Sequence, residues 1–351
     1  MNSRITILIS IAFGLILVGI WLAIVDVTAM VHVLKEVRLS VFLPLFFLFV
    51  LMYLLRSLRW KIILSPVERI TLGDSFNLCM TNYFVNFLIP VHAGEIVKCV
   101  LLKKMKGTLV SESLWTAYID KLTDLLPLFV LLLVAPFLKS GFSSTIYLTC
   151  VVVLVVLALL IFSAVFVYKI RTKFYVFVEY LLFMLPASFR DKVITFFKLS
   201  VEGLSSISQL RTMLFQIFAL TMLAAAFHCF FMWLFFHSFG VNLPVFTVLI
   251  GYLLLNASFI LPAPPGFSGS LELTFLFIFS YLFGYDKNLV STVAASSHVF
   301  IAILFALFGF TSLAFIGTRL STVLKMESDN VTGFAASDLP SFSPDSEEPL
   351  K

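Results

Sequence analysis

The sequence predicts an all-α polytopic membrane protein with about six full spans and two re-entrant helical hairpins. The hairpins form a pseudo-inverted repeat, and both termini are expected in the cytoplasm. Three observations support this fold class. Of the 351 residues, 61% are hydrophobic and only 12% are charged, whereas soluble domains carry about 25% charged residues. Several apolar stretches are long enough to cross a bilayer, and two others are interrupted by Pro and Gly.

Six apolar stretches reach the roughly 20 residues that a membrane-spanning helix needs. They cover about residues 5–25, 41–60, 116–138, 145–168, 212–238 and 289–317. The first resembles a signal peptide, because Arg4 precedes a long apolar run. That run continues to Ile24, however, and no clear cleavage site follows it. We therefore interpret it as a retained first span.

Two further apolar segments are interrupted, one over about residues 72–104 and the other over about residues 245–284. Pro90 breaks the first, and "LPAPPGFSG", which contains Pro262, breaks the second. Proline lacks an N–H group and ends a helix, and the freed backbone groups cannot face lipid. Each segment is therefore predicted to enter the membrane and return to the same face. Proline-kinked spans are the alternative.

The distribution of cations agrees with this topology. With a cytoplasmic N-terminus, the outside loops hold only Lys35, Arg38, Lys139 and Lys287, and the other cations flanking the spans fall inside. Such a positive-inside bias sets the orientation of a membrane protein. The bias holds if both interrupted segments are hairpins, or if both cross fully in a compensating way, and we favour hairpins. The predicted location is the inner (cytoplasmic) membrane.

Two segments lie outside this membrane pattern. Residues 171–208 form a long cytoplasmic loop of mixed apolar and charged character, divided by Pro186. We expect amphipathic helices at the membrane interface, with a small soluble helical pair as the alternative. Residues 319–351 are rich in Ser, Pro, Asp and Glu and are predicted to be a disordered cytoplasmic tail. The membrane domain is therefore expected to cover residues 1–318.

Composition also excludes several kinds of function. The net charge of +5 comes from cations beside apolar segments, so it indicates topology rather than nucleic-acid binding. The four cysteines have no metal-ligand spacing. We therefore expect no metal site, no cofactor and no nucleic-acid partner.

The two breaks resemble each other. In the first, Asn86 and "FLIP" are followed by Gly94 and Glu95. In the second, an asparagine and "FILP" are followed by Gly266, Gly269 and Glu272. Paired Gly/Pro-interrupted segments in two halves of a chain are typical of a transporter's midplane site.

The helices after the breaks are expected to resume at Ala93–Gly94 and near Ser270. The N-terminus of such a helix attracts anions such as phosphate, because its first N–H groups lack helical partners.

Placing a charged side chain within the membrane costs free energy, so such residues are functional candidates. Arg56 and Arg59 are three residues apart and share a helix face; they either bind a lipid phosphate or extend to the interface. Asp120, Lys121 and Asp124 form a second cluster. This cluster is either a structural ion network, a partner of Arg56, Arg59 or Lys98, or a proton carrier.

Glu95 and Glu272 each follow a break, where a carboxylate also suits the helix dipole. His92 lies in the first break and titrates near neutral pH in its unperturbed form. The histidines of the apolar spans, His228, His237 and His298, have no ligand spacing. They are expected to be hydrogen-bonded packing residues rather than a proton relay.

Four motifs in order, "RSLRW", "NFLIPVHAGEIVK", "DKLTD" and "PGFSGSLE", resemble the lysylphosphatidylglycerol synthase transmembrane (flippase-like) family. The resemblance covers about residues 5–317. Its pattern matches at Arg56, Arg59, Trp60, Asn86, Pro90, Gly94, Glu95, Pro265, Gly266, Gly269 and Glu272. His92 stands where the family commonly has an arginine, and Phe267 stands where it commonly has a glycine. Asp120, Lys121 and Asp124 keep charge at the third motif with side chains exchanged.

The resemblance implies a flippase-like protein that handles an anionic phospholipid or a lipid-linked substrate. Multiple-peptide-resistance-factor proteins contain a similar membrane region beside a cytoplasmic synthase domain, and we expect no synthase activity here. The cations would neutralise the head group, and the helix N-termini at Gly94 and Gly269 would hold it. Glu95, Asp124 and Glu272 would orient the cations or couple to protons.

Two other functions stay open at this point. One is an accessory membrane subunit of a lipid or cell-envelope glycolipid pathway. The other is an integral-membrane transferase that modifies lipids, which would need an acidic pair on a sizeable aqueous loop. A separate lipid-modifying enzyme is the expected protein partner, and no catalytic residue is predicted.

Overall fold

The computed structural model describes residues 3–35, 39–89, 93–128, 211–259 and 263–318, together with the isolated positions 130, 148, 152, 155 and 320. In these ranges the regular elements are all helical. The helices are α1 (Ser3–Ile24), α2 (Val27–Lys35), α3 (Phe42–Leu64), α4 (Leu72–Leu88), α5 (Gly94–Lys106), α6 (Val110–Thr123), α7 (Arg211–Ser238), α8 (Val245–Ser258), α9 (Ser270–Phe275) and α10 (Lys287–Ile316). Two 3-10 turns, Leu39–Val41 and Pro265–Phe267, and a π-helix at Leu276–Leu282 complete the described elements.

Three helices are long and apolar enough to cross a membrane: α3, α7 from Thr212 onwards, and α10. They correspond to three of the predicted spans. The outer face of α10 carries an exposed apolar stripe at i, i+4, i+8 and i+11, formed by Val299, Ile303, Leu307 and Phe310. This spacing places the stripe on one side of the helix. Such an apolar face is suited to contact with lipid. The number of spans and their orientation stay predictions.

The first interrupted segment contains two helices that lie side by side. α4 begins with a capping box, in which the hydroxyl of Thr71 accepts from the N–H of Asp74 at 3.0 Å. α5 begins at Gly94, where the sequence predicts it. A Cβ at Gly94 would overlap the carbonyl oxygen of Asn82 and would lie 2.7 Å from Oδ1 of Asn86. The chain therefore turns back on α4 after the break, and only glycine allows so close an approach. Its return to the same membrane face stays a prediction.

The second interrupted segment also resumes where the sequence predicts. α8 ends at Ser258, and α9 begins at Ser270 and continues into the π-helix. Between them, Gly266 and Phe267 adopt positive φ values of 65° and 53°. Gly269 has a φ of 74° at the start of α9. The turn is therefore built from left-handed backbone, which glycine adopts without steric cost.

Helix α1 packs across this second break. A Cβ at Gly14 would lie 3.0 Å from the Cβ of Pro264, and a Cβ at Gly269 would lie 2.7 Å from the Cβ of Leu17. Small residues at such a crossing let two backbones approach closely within a membrane. The first helix is thus part of the structure that encloses the break.

Helix α6 differs from the predicted span over 116–138. It begins earlier, at Val110, and ends at Thr123, with a turn at Asp124 before the next helical residues. Pro127 explains the interruption, because it cannot donate a hydrogen bond to the carbonyl of Thr123. The acidic cluster therefore lies at the C-terminal end of α6. Residues 129 and 131–138 of the predicted span lie outside the described residues.

The long helices pack against each other around an aromatic core. α3 packs along α7, and α4 packs along α10. The α4–α10 contact is close, because a Cβ at Gly309 would overlap the ring of Phe84. This arrangement buries polar side chains of α3, α4, α5 and α6 inside the bundle, among them Arg56, Arg59, Asn82, Lys98 and Asp120.

Several predicted features lie outside the described residues. These are the span over 145–168 apart from three isolated positions, the cytoplasmic segment 171–208, the tail 319–351 apart from residue 320, and the break residues Pro90, His92 and Pro262.

Candidate functional site

Arg59 is the centre of a buried charge network. Its side chain is 1% exposed. Nε donates to Oδ1 of Asp120 at 2.9 Å, and Nη2 donates to Oδ1 of Asp124 at 2.8 Å. Nη2 also donates to the backbone carbonyl of Asp120, and Nη1 donates to the hydroxyl of Thr221, both at 3.2 Å. A guanidinium carries five N–H donors, so nearly all of the donor capacity of Arg59 is used within the protein. Arg59 therefore holds α3, α6 and α7 together.

Arg56 lies one turn earlier on α3 and is much less fully bonded. Its Nη1 donates to Oδ2 of Asp124 at 3.2 Å, and this is its one hydrogen-bond partner among the described residues. Asp124 therefore bridges the two arginines, with one oxygen to each. Among the described residues, the other N–H donors of Arg56 have no hydrogen-bond partner.

Lys98 is a second buried cation. Its side chain is 1% exposed, and Nζ lies 3.8 Å from Oδ2 of Asp120. Nζ also lies 4.1 Å from the ring centre of Trp60, within the range of a cation–π interaction. The ring of Trp60 is itself held by a hydrogen bond of 3.2 Å from Nε1 to the hydroxyl of Thr116. Lys98 is thus fixed between α3 and α6.

The first break contributes a carboxylate and an amide to the same region. Nδ2 of Asn86 donates to both oxygens of Glu95 at 3.1 Å, while its Oδ1 accepts from the N–H of Gly94 at 2.7 Å. Nζ of Lys121 lies 3.5 Å from Oε1 of Glu95. The Lys121 side chain is 42% exposed, the most of any cation in the network.

The network carries an excess of positive charge. In the described part of the chain it joins four cations to three carboxylates, namely Arg56, Arg59, Lys98, Lys121, Glu95, Asp120 and Asp124. Each carboxylate has cationic partners, so the one surplus positive charge has no counter-ion among these residues. The two cations with the greatest remaining capacity are Arg56 and Lys121.

Four aromatic residues with polar groups lie near Arg56. Sequence reasoning missed the three tyrosines and expected His228 to be a hydrogen-bonded packing residue. Tyr53, Tyr83, Tyr252 and His228 all lie close enough to Arg56 to interact with its charge. The rings of Tyr53 and Tyr83 are 4.8 Å apart, as are those of His228 and Tyr252. They come from α3, α4, α7 and α8, so Arg56 lies where helices of both interrupted segments meet. The available signal was the three-residue spacing of Tyr53 and Arg56, which places both on one helix face.

The second break has a separate polar group. Nδ1 of His298 lies 2.6 Å from Oε1 of Glu272, and its Nε2 lies 2.6 Å from the backbone carbonyl oxygen of Gly266. His298, expected as a hydrogen-bonded packing residue, therefore makes hydrogen bonds through both ring nitrogens. Phe87 lies beside it, 5.8 Å from the His298 ring and 6.4 Å from the ring of Phe267.

The structure thus divides the predicted site residues into two groups. The charge network contains Arg56, Arg59, Asn86, Gly94, Glu95, Lys98, Asp120, Lys121 and Asp124. The second group contains Gly266 and Glu272, with Gly269 packed against α1. Adjacent residues of α4, Asn86 and Phe87, contact one group each, which places the groups on neighbouring sides of that helix. His92 lies outside the described residues.

Comparison with known proteins agrees with the four sequence motifs. No curated protein and no solved structure matches the chain. A family model, the lysylphosphatidylglycerol synthase TM region, matches residues 7–316. This match spans α1 to α10 and includes both groups of polar residues. The chain therefore belongs to the lysylphosphatidylglycerol synthase TM region family.

Proposed function

We propose that this protein is a flippase that moves an anionic phospholipid or a lipid-linked anionic substrate across the inner (cytoplasmic) membrane. The observation that carries the proposal is the surplus positive charge within a bundle of apolar helices. A buried charge is costly in a membrane unless a partner neutralises it. An anionic head group would be that partner. The family assignment agrees, because it indicates a membrane protein of lipid metabolism or transport.

The contacts in the network suggest different roles for its four cations. Arg59 and Lys98 are enclosed by protein partners and would keep the site in shape. Arg56, with one partner among the described residues, would bind the phosphate through its remaining donors. Lys121, the most exposed cation, would meet the head group first. Acyl chains would stay in the surrounding lipid.

The first turn of α5 plays a narrower part in this proposal than the sequence suggests. The N–H of Gly94 already donates to Asn86, and the carboxylate of Glu95 occupies the same turn. We therefore assign phosphate binding mainly to side-chain cations. The tyrosine hydroxyls around Arg56 would donate to polar groups of the head group. Alternating exposure of the two interrupted segments would move the head group across.

A lipid-translocation assay tests the proposal. The purified protein is reconstituted into phosphatidylcholine vesicles with a trace of fluorescently labelled phosphatidylglycerol, and a membrane-impermeant quencher reports the label in the outer leaflet. We expect the inner-leaflet label to become accessible faster than in protein-free vesicles. Labelled phosphatidylcholine serves as the zwitterionic control and should move more slowly. A panel of anionic labels, including a polyprenyl phosphate, that all move at the protein-free rate would refute the proposal.

A matched pair of variants ties the activity to the network. Arg56→Gln removes the surplus charge, whereas Arg69→Gln removes an exposed arginine outside the network. A hydrogen bond to a charged group contributes about 1.5–3 kcal/mol, so Arg56→Gln should slow translocation by roughly tenfold or more. Arg69→Gln should leave the rate unchanged. Equal effects of the two substitutions would contradict a binding role for Arg56.

The proposal also covers the partner and the chemistry. A separate enzyme would supply the lipid, and this chain would carry out transport rather than catalysis. Incubation of the protein with lipid and activated sugar or aminoacyl-tRNA donors tests this assignment. Formation of a modified lipid would instead favour a transferase.

A further inference from the structure

The contact between Glu272 and His298 has features that the charge network does not share. The two side chains are 8% and 15% exposed, and Nδ1 of His298 lies 2.6 Å from Oε1 of Glu272. The other ring nitrogen contacts the carbonyl oxygen of Gly266 in the second break. Oε2 of Glu272 is buried and has no hydrogen-bond partner among the described residues.

The hydrogen-bond partners fix how many protons this contact holds. A backbone carbonyl oxygen only accepts, so Nε2 of His298 must carry a proton to bond with Gly266. One more proton must then lie between Nδ1 and Oε1 of Glu272. It belongs either to an imidazolium facing a carboxylate or to a carboxylic acid facing a neutral imidazole. In both cases the pair holds one shared proton and is neutral overall.

Loss of this proton breaks one of the two hydrogen bonds. If the neutral imidazole keeps its proton on Nε2, the lone pair of Nδ1 faces a carboxylate oxygen. If the proton moves to Nδ1, the lone pair of Nε2 faces the carbonyl oxygen of Gly266. In either arrangement two hydrogen-bond acceptors face each other. Loss of the proton also leaves a net negative charge in a buried site.

The position of the pair gives proton loss a structural consequence. Glu272 lies on α9, His298 lies on α10, and Gly266 lies in the turn between α8 and α9. With the proton present, the turn and α9 are both attached to α10 through one imidazole ring. Without it, one of these two attachments to α10 is lost.

The elements packed against the pair carry other titratable groups. Among the described side chains, these are His32 on α2, Asp74, Cys79 and Tyr83 on α4, His228, Cys229 and His237 on α7, Tyr252 on α8, Tyr281 in the π-helix and Lys287 on α10. In the described part of the chain, the ion pairs within 4.0 Å that include Glu272 or His298 join these two residues only to each other.

We propose that Glu272 and His298 form a binding site for one proton, and that its uptake and release couple head-group movement to a proton gradient. The inference rests on the proposed function and adds its energy source. The hydrogen bond between His298 and the carbonyl oxygen of Gly266 responds to binding and loss of this proton, and the second interrupted segment moves as a result.

Two substitutions distinguish the effect of losing the proton from the effect of losing the hydrogen bonds. Glu272→Gln has nearly the same shape, and its amide can donate to Nδ1 of His298. This variant therefore keeps both hydrogen bonds but cannot exchange a proton there. His298→Gln removes the imidazole. Glu112→Gln, at an exposed position on α6, is the matched control.

The transport test uses vesicles with labelled phosphatidylglycerol and an imposed pH difference. If one proton moves per lipid, the ratio of label between leaflets should shift by up to about tenfold per pH unit. A protonophore should abolish the shift. Glu272→Gln and His298→Gln should lose it, and Glu112→Gln should keep it. Label that moves at the same rate and to the same ratio with and without the gradient would overturn the inference and leave the proposed function intact.

A spectroscopic test does not depend on transport. The five histidines are labelled with nitrogen-15 in the full-length protein in nanodiscs, and the His298 signals are assigned by their loss in His298→Gln. Over the pH range in which the protein stays folded, the Nδ1 signal of the wild type should change, and in Glu272→Gln that change should be altered or absent. A wild-type signal that is constant over this whole range would overturn the proton site, even if no lipid label moves in any vesicle experiment.

Discussion

Two arginines on one turn of α3 have different environments. Arg59 donates four hydrogen bonds within the protein, and Arg56 donates one among the described residues. The sequence identifies both as candidates because they share a helix face, but it does not distinguish them. Their roles depend on Asp120 and Thr221, which lie 61 and 162 residues away from Arg59 along the chain. Such partners follow from tertiary packing and not from local spacing.

This difference predicts unequal effects on stability. Arg59→Gln leaves Asp120 with only the distant Lys98 contact, so the unfolding free energy should fall by about 3–5 kcal/mol, as for other broken buried ion pairs. Arg56→Gln leaves Asp124 paired with Arg59 and should cost less, about 1.5–3 kcal/mol for the one charged hydrogen bond that is lost. Denaturant unfolding in detergent micelles measures both values. Equal losses would contradict the separation of a structural arginine from a binding arginine.

The residue at position 267 shows how a departure from the family pattern is accommodated. Phe267 stands where the family commonly has a glycine, and its φ of 53° is the left-handed conformation that glycine prefers. Its ring packs 5.2 Å from the ring of Phe259. Ring packing with Phe259 and Phe87 therefore offsets backbone strain in the second break.

A pair of substitutions isolates this strain. Phe267→Gly and Phe267→Ala both remove the ring, but alanine keeps the left-handed strain of about 1–2 kcal/mol. The glycine variant should therefore be the more stable by about 1 kcal/mol, the reverse of the usual order in helices. Thermal unfolding of the two variants in one detergent gives the comparison. A more stable alanine variant would show that the turn is not strained.

At the scale of elements, the sequence predicted where helices resume better than how they pack. Proline and glycine act locally, so the starts of α5 at Gly94 and α9 at Ser270 could be predicted. The early start of α6 at Val110 could not, because α6 packs against α5 and α3, and such contacts are tertiary. The tyrosines near Arg56 were also missed, since three separate helices, α3, α4 and α8, contribute them.

The contact between α4 and α10 gives a prediction about an element. Gly309→Ala should destabilise the protein, because the added Cβ would overlap the ring of Phe84, and overpacking typically costs about 1–3 kcal/mol. Gly19→Ala is the control, since a Cβ there meets nothing within 4 Å. Both substitutions gain similar helix propensity, so their difference reports the contact. Equal stabilities in detergent unfolding would mean that α4 and α10 are not closely packed.

At the scale of the whole molecule, cations determine which side of the membrane each loop occupies. The positive-inside pattern agrees with two hairpins or with two compensating full crossings, and we favour hairpins. The packing of α5 against α4 suits such a hairpin, because Gly94 lies against Asn82 and the chain reverses. Sidedness itself depends on the membrane, so it follows from charge and not from helix packing.

Two exposed lysines can test the topology in a background lacking the four native cysteines. Lys106 follows the first interrupted segment, and Lys287 follows the second. If both segments are hairpins, Lys106→Cys should react with a membrane-impermeant thiol reagent only from the cytoplasmic side and Lys287→Cys only from outside. If each segment instead crosses once, Lys106 moves outside while Lys287 stays there, so Lys287→Cys serves as the fixed reference. Labelling of both cysteines from outside would therefore disprove the hairpins. In that case the two interrupted segments could not expose a head group by opening to opposite faces of the membrane.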